Sequence, residues 1–562
     1  MMRRFHDLRK HEEGQALVLA AISMLILALC VLATVNLTYA VHHKEQLQDA
    51  ADSVAYTTAA YQARALNFFA YTNRAMVVQY CAQMNMMAIF TYLMFAVAIL
   101  TLLEFLTSWI PGVDAVMAAI VNVAKIALTA INVAIAIFIP IIDIINYFTG
   151  LVQFAVSTDM LARVVAGPSA ELARINATGN HHYVMDPISS TLLGVDAAVR
   201  WEQTVLTTPL PNFAPPTQPE DQFDRAMMTE IANSGRHEWT AYGGPPAPFP
   251  EFWKRHFNWS VNLVIAQFDF KKLARTEWGS FKPGGGGLAG IWGFLQGITS
   301  KTEQIYSVDE FDFDVSVPFF GQIISFSFGA WARADRQFWQ PPHHQLYARL
   351  DACPGHPCNW RHPWNCAWQA ACKAVLQPLI NAGLNQLLAA GLQAATTTDI
   401  PIFHFGMAPY ARFRPGRQTW NRPSGSEMFN QPPVVLLVTD PTSDIVAGGR
   451  PFMRSFNVQL GGLSSANSKL MAESGNSFSQ PNRGWHSGID FRPAGLSVGF
   501  LPNGFHALAA AQAYYHRPGD WREPPNLFNP FWGAKLMPVV DYPAIGGAPV
   551  IGPLLAQKLL VH

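Results

Sequence analysis

The stretch "KHEEGQALVLAAISMLILALCVLATVNL", residues 10–37, decides the fold. Ala16 to Val35 is a run of 20 residues without a charge, and a helix rising about 1.5 Å per residue over that length spans a hydrocarbon core about 30 Å thick. Ahead of it stand Arg3, Arg4, Arg9 and Lys10 against Asp7, Glu12 and Glu13, and the first charges beyond it are Lys44, Glu45, Asp49 and Asp52. The excess of basic residues on the N-terminal flank predicts an N-terminus held in the cytoplasm. A secretory signal would have a shorter apolar core ending at a small-x-small cleavage site; here the core runs on through Asn36, Leu37, Thr38 and Tyr39. A permanent anchor is therefore favoured over a disposable signal. No glycine or proline occurs between Gln15 and Ile110, which predicts helix throughout. A straight rod of that length would be about 144 Å long, so at least one break is expected.

At 562 residues the chain exceeds what one core usually organises, which predicts a membrane part with one or two further domains. The formal net charge is zero and 14% of residues are charged. No basic cluster marks a nucleic-acid binder. The halves differ in chemistry: 15 of the 16 tryptophans follow residue 200 and all 40 prolines follow residue 110. A helical, lipid-like N-terminal part thus precedes a loop-rich, aromatic body.

Beyond the anchor, Leu47, Ala51, Val54, Thr58, Tyr61, Ala65 and Phe68 alternate at spacings of four and three. That is a seam of period 3.5 whose alanines admit close packing, either on the chain's own domain or on another subunit. "MNMMAIFTYLMFAVAILTLL" and Ala115 to Ile142, joined by "SWIPGVD", read as an apolar helical hairpin. It could cross a bilayer, lie in its interface or pack in a protein core. Asn122, Lys125, Thr129 and Asn132 recur on one helical face of its second arm. A packed interface is favoured there over an ion path, because a lone lysine without an acidic partner is a poor relay.

"AELARINATG" and "LLGVDAAVRWEQTVL" continue as helix, and the Pro-dense "PLPNFAPPTQPEDQFD" marks a connector. In the body, "DFDVSVPFFGQIISFSFGAWARA" and part of "SFNVQLGGLS" alternate at period two and predict strands; "INAGLNQLLAAGLQAA" and "NGFHALAAAQAYY" predict helices. The expected fold is membrane-anchored α+β: a long N-terminal transmembrane and stalk helix, an apolar helical hairpin, then a mixed α+β extracytoplasmic body. The expected divisions are a cytoplasmic leader over 1–14, anchor and Ala-rich stalk over 15–80, hairpin over 81–160, helices and Pro-rich connector over 161–230, and the body over 231–562.

Candidate chemistry is sparse. Cys353, Cys358, Cys366 and Cys372 fall within "CPGHPCNWRHPWNCAWQAAC". Their spacings lack the short C-x2-C knuckle of structural zinc sites, so two disulfides in an oxidising compartment are favoured over metal, with the pairing open. Cys30 and Cys81, set in apolar helix, read as buried free thiols. "GGGLAG" at residues 285–290 lacks a preceding strand and an acidic ribose partner, and "GWHSG" is not a nucleophile elbow. Asp440, Thr442 and Asp444 of "VVLLVTDPTSD" could offer oxygens to Mg²⁺ or Ca²⁺, but a turn is favoured. "DEFDFDV" reads as a strand with Asp312 and Asp314 on its wet face. No metal, cofactor or catalytic residue is expected.

"EEGQALVLAAISMLILAL" followed by "LQDAADSVAYTTAA" resembles the N-terminal module of TadE/TadG-like proteins of the tight-adherence (Flp) pilus assembly system, and the likeness continues through "ARALNFFAYTNRAM". "YYHRPGDWREPPNLFNPFWGAKLMPV" resembles a further element of the TadG-related branch. The residues carrying the resemblance are Leu47, Gln48, Ala50, Ala51, Asp52, Asn67, Asn73 and Arg74, with Asn526, Asn529, Pro530 and Trp532 near the C-terminus. The resemblance implies a non-enzymatic bacterial inner-membrane protein with a periplasmic body, whose partners are the membrane and other pilus assembly proteins or pilins, with self-association through the stalk helix as a further option. Some relatives are cleaved after a leader glycine, and here that cut would fall between Gly14 and Gln15. A processed pilin usually carries Glu at the fifth mature position, which here is Leu19. A Glu there would balance a neighbouring N-terminal amine in low dielectric, so its absence favours anchoring over incorporation in a fibre. The alternatives are a peptidase-processed minor pilin and a membrane-tethered extracytoplasmic hydrolase.

Overall fold

A computed structural model describes residues 2–108, 110–179, 182–185, 193–210, 219–235, 237, 257–263, 266–281, 302–319, 322–337, 343–351, 367, 370–383, 385–386, 407–413, 433–441, 504–519, 523 and 525–537. Two long apolar helices dominate, with antiparallel sheet beside them. The first, α1 (Met2–Thr107), is one continuous helix of 106 residues, about 160 Å at helical rise. The expected break is absent. No residue along it interrupts the hydrogen-bond ladder, and α2 (Val113–Gly179) runs back beside it for most of its length. The turn falls in "SWIPGVD", where Gly112 takes φ +88°, a conformation that suits glycine. The hairpin is therefore present, but its arms are far longer than the apolar segments that signalled it.

The antiparallel register is visible in side-chain pairs: Gln83 Nε2 donates to Asp143 at 3.1 Å, and Gln153 Nε2 donates to Asn73 at 2.7 Å. Gly150 lies where α2 meets residues 407–411, and a Cβ there would fall 2.1 Å from the Pro409 carbonyl oxygen. Glycine at this point permits the contact, which outweighs its ordinary cost in a helix. Of the polar stripe on α2, Asn132 is buried, whereas Asn122 and Thr129 are exposed, so the stripe straddles the edge of the packed face.

Short elements follow: β1 (Val184–Met185), α3 (Gly194–Thr204), β2 (Val205–Leu206) and α4 (Pro219–Ser234), the last opening on a proline, which suits the first helical turn. A meander of five antiparallel strands comes next: β3 (Phe257–Leu263), β4 (Ala266–Phe281), β5 (Thr302–Phe319), β6 (Gln322–Gln337) and β7 (His343–Asp351). Strands β5 and β6 are those expected from the alternation in "DFDVSVPFFGQIISFSFGAWARA". Asp314 is exposed on its strand as expected. A π-helical turn at Cys372–Leu376 and helix over 377–383 precede and just enter the stretch "INAGLNQLLAAGLQAA", residues 380–395, most of which lies outside the described residues. Strand β8 (Arg412–Phe413) pairs with β2, and β9 (Pro433–Pro441), β10 (Gly504–Tyr515) and β11 (Trp532–Leu536) form a sheet in the order β1-β9-β10-β11.

Strand β10 corrects an expectation. "NGFHALAAAQAYY" has the alanine content of a helix but forms the centre of that sheet. Its packing is the reason. Ala507, Ala509 and Ala511 alternate onto α1, where they meet Leu47, Ala51, Val54, Ala55 and Ala59; Ala510 turns to the other face with Val435, Leu193 and Met537. Small side chains let a helix lie close on the strand, and that burial overrides local propensity.

The alternating seam of α1 is thus occupied within the chain: Leu47, Ala51, Val54, Thr58 and Ala65 are buried, while Tyr61 faces outward. It offers a second subunit no free apolar face. Farther along α1, Met76 to Val97 form a second core with α2, α4, Trp278 of β4 and residues 408–410. One side of the apolar segment that could have entered lipid is therefore covered by protein.

Candidate functional site: a polar clasp between the rod and the C-terminal hairpin

The residues singled out from the two ends of the chain meet in space. Asn67 and Arg74 stand two helical turns apart on α1, on one face, with Asn73 adjacent. Opposite them lies the turn between β10 and β11. Asn67 pairs with the backbone of Trp532 as a strand would: its Nδ2 donates to the Trp532 carbonyl at 2.8 Å, and its Oδ1 accepts from the Trp532 N–H at 3.0 Å. Arg74 Nη1 donates to Asn529 Oδ1 at 2.9 Å.

Asn73 uses its whole amide and is 1% exposed. Its Nδ2 donates to the carbonyls of Ala411 and Leu527, each at 2.8 Å, and its Oδ1 accepts from Gln153. Gln153 also donates to Thr72 Oγ1 at 2.6 Å and accepts from the Ala411 N–H at 2.8 Å. Four segments distant in sequence are thus joined through two buried amides. A buried polar network that is fully satisfied in this way specifies one arrangement of its parts.

The turn is organised from within by Asn526. Its Oδ1 accepts from the backbone N–H groups of Phe528 and Asn529, both at 2.9 Å, and its carbonyl accepts from Trp532 Nε1 at 2.9 Å. Pro530 is half-buried beside it. Glu523 accepts from Asn526 at 2.7 Å and from Asn529 at 2.6 Å, and also from Tyr515 and Arg517. Burial pushes the Glu523 carboxyl up, but its four donors outweigh burial and hold it below the ordinary glutamate value. The same burial, with the neighbouring carboxylate, drives the Tyr515 hydroxyl well above its usual range.

The sign of the pH effect follows. A carboxylate whose folded value is depressed stabilises the fold in full above its ordinary value of 4.5, and that contribution is lost as pH falls through the folded value. Glu523→Gln is expected to cost about 1–3 kcal/mol at neutral pH, the scale of a charge-assisted hydrogen bond. Denaturant unfolding of the detergent-solubilised chain checks it. The gap between wild type and variant should close on acidification, and a pH-independent gap would show that the charge does not matter.

Nearer the N-terminal end of α1, Leu47, Ala50 and Ala51 pack into the β9–β10 sheet, and Gln48 Nε2 donates both to Asp52 at 3.0 Å and to the Leu508 carbonyl at 3.1 Å. Burial raises Asp52 above its ordinary value. His43 Nδ1 lies 3.2 Å from Asp440 Oδ2 in a buried pair, and Thr439 Oγ1 lies 2.9 Å from His506 Nδ1. The Asp440 carboxylate thus faces an α1 histidine from within β9; Thr442 and Asp444, and with them the expected turn, lie outside the described residues. Among the described residues no cluster of His, Cys, Asp and Glu could hold a metal ion.

Gly14 and Gln15 fall inside α1. Cys353, Cys358 and Cys366, "GGGLAG", "GWHSG", "SFNVQLGGLS" and Asp312's side chain lie outside what is described; Cys372 is buried. Cys81 is buried as expected, but Cys30 is exposed on the first part of α1. Sequence reasoning did not single out Gln153, Tyr515 or Glu523. A glutamine inside the long apolar run of α2 was the one available signal, because a polar group there requires a buried partner.

Comparison with known proteins agrees with the N-terminal resemblance. No curated protein and no solved structure matches the chain. Residues 14–61 match the family model described as putative Flp pilus-assembly TadE/G-like. The match takes in the apolar helix and Leu47 to Asp52, and ends before Asn67. Over residues 14–61, the first part of α1 is therefore similar to the TadE/G-like Flp pilus-assembly family.

Proposed function

We propose that the protein is a non-enzymatic, inner-membrane component of a Flp-type pilus assembly apparatus, anchored by its first helix and acting through protein–protein contacts made by a periplasmic body. The observation that carries this reading is the continuity of α1. Every described side chain from Ala16 to Val31 is exposed, among them Leu17, Leu19 and Met24, each at more than 70%. The same helix then runs without interruption into the segment that the strands and the clasp grip. An all-apolar helix bare on every side requires lipid, and a rigid continuation transmits the membrane position to the body. α1 and α2 each contain a segment long and apolar enough to cross a membrane, over 41–101 and 113–178; the stretch read here as the anchor is the shorter apolar one ahead of both, Ala16–Val31. The basic flank orients the N-terminus to the cytoplasm, and a disulfide framework among the four clustered cysteines suits the compartment outside.

The test is the N-terminal sequence of the protein purified from its own membranes, with and without the host's prepilin peptidase. Anchoring predicts an intact N-terminus and retention in the membrane pellet after alkaline carbonate. Peptidase-dependent appearance of Gln15 as the first residue would instead make a minor pilin the better reading.

A further inference from the structure

Helix α2 buries apolar side chains such as Leu128, Ile135 and Ile139 together with a few polar ones, and leaves further apolar side chains exposed on its outer side. Asn132, Asn146 and Gln153 are buried toward α1, whereas Val116, Val123, Ile126, Val133, Ile137 and Ile144 are exposed, Ile126 at 70%. These six follow one another at intervals of seven, three, seven, four and seven residues, a heptad seam about four heptads long. Between residues 115 and 158 the only charges are Lys125 and Asp143, and Gln83 donates to Asp143. The seam itself carries none. A continuous apolar surface of this extent marks an interaction site.

The bilayer that holds Ala16 to Val35 does not cover it. With Gln83 level with Asp143 and Asn73 level with Gln153, the seam lies about 70–110 Å farther along the rod than Val35 at 1.5 Å per residue. A hydrocarbon core is only about 30 Å thick. A helical partner fits the heptad spacing, and a second copy of this chain fits the position. Anchored copies stand parallel and at equal height. A two-fold axis along the rods then sets each seam residue opposite its own counterpart, with no charge to repel. We infer that the protein self-associates in the membrane as a parallel dimer through the outer seam of α2. This rests on the anchor reading above and places self-association on α2 rather than on the stalk seam, which β10 occupies.

The test is cysteine cross-linking of the full chain in its own membranes, in a Cys30→Ser background. Ile126→Cys and Val133→Cys are compared with Tyr71→Cys, which is exposed on α1 away from the seam. Under mild oxidation the seam positions should give a product of twice the chain mass about tenfold faster than Tyr71→Cys, the gain expected from a held rather than a collisional encounter. Adding Ile126→Glu should abolish cross-linking at Val133→Cys. Equal rates at all three positions, a cross-linked product of another mass, or a yield indifferent to Ile126→Glu would each overturn the dimer. Alkaline carbonate on the same sample separates the two failures: protein retained in the pellet without cross-links sinks the seam alone, and protein released to the supernatant sinks the anchor and the seam with it.

Discussion

Asn73→Ala is expected to be among the most damaging single substitutions in the chain, at about 3–5 kcal/mol, because it takes a partner from three buried polar groups at once. The Ala411 and Leu527 carbonyls each lose a donor, and Gln153 loses one of its two acceptors and keeps Thr72. Each such group costs about 1–3 kcal/mol when left without a partner away from water, and partial relaxation keeps the total below the sum. Asn67→Ala should cost less, about 1–2 kcal/mol, because Asn67 is only half-buried and water can replace its amide. The measurement is the unfolding midpoint of the solubilised chain in denaturant, with limited proteolysis of the β10–β11 turn alongside. A loss below about 1 kcal/mol for Asn73→Ala would show that the network is not what holds the C-terminal hairpin to the rod.

The asymmetry between these two asparagines bears on how far the sequence could be read. Both belong to the resemblance, and so do Arg74, Asn526, Asn529 and Trp532; sequence thus supplied one side of nearly every bond in the clasp. It did not supply the pairing. Nothing local to Asn73 indicates that Ala411, more than 300 residues away, will offer it a carbonyl. The apolar first helix and the hairpin turn were legible because each is a local property, an uncharged run in one case and a proline–glycine turn in the other. The continuity of α1 was not, since a helix of that length is stable only with support along its sides, and that support comes from α2 and from strands hundreds of residues later. Strand β10 shows the same limit from the other direction. Its alanines satisfy helix propensity, but what they serve is the close approach of α1, and an environment made by distant segments chose the strand.

Where helix meets sheet higher up the rod, Asp309→Ala is expected to cost about 3–5 kcal/mol. Asp309 of β5 is fully buried; one oxygen lies 3.8 Å from the Lys272 ammonium on β4, and the other accepts from Thr91 on α1 at 2.6 Å. Ser307 bridges Thr91 at 2.8 Å and Thr276 at 2.7 Å, so that hydroxyls from α1, β4 and β5 converge beside the carboxylate. Lys272 is itself buried, with its ammonium 4.1 Å from the centre of the Tyr92 ring and 4.5 Å from that of Phe95. Removing the carboxylate leaves an ammonium held against two ring faces, and cation–π attraction of about 2 kcal/mol does not replace a full counter-charge. Removing both charges is a different matter. Desolvation costs about as much as such a pair returns, so Lys272→Met with Asp309→Ala should recover most of the loss. A double-mutant cycle on unfolding free energies decides the point. A double variant no more stable than Asp309→Ala alone would mean that packing around the pair, rather than its charge, holds the sheet to α1. Recovery would mean that the sheet reaches the rod through a compensated ion pair, set among apolar residues that a purely hydropathic reading assigns to lipid.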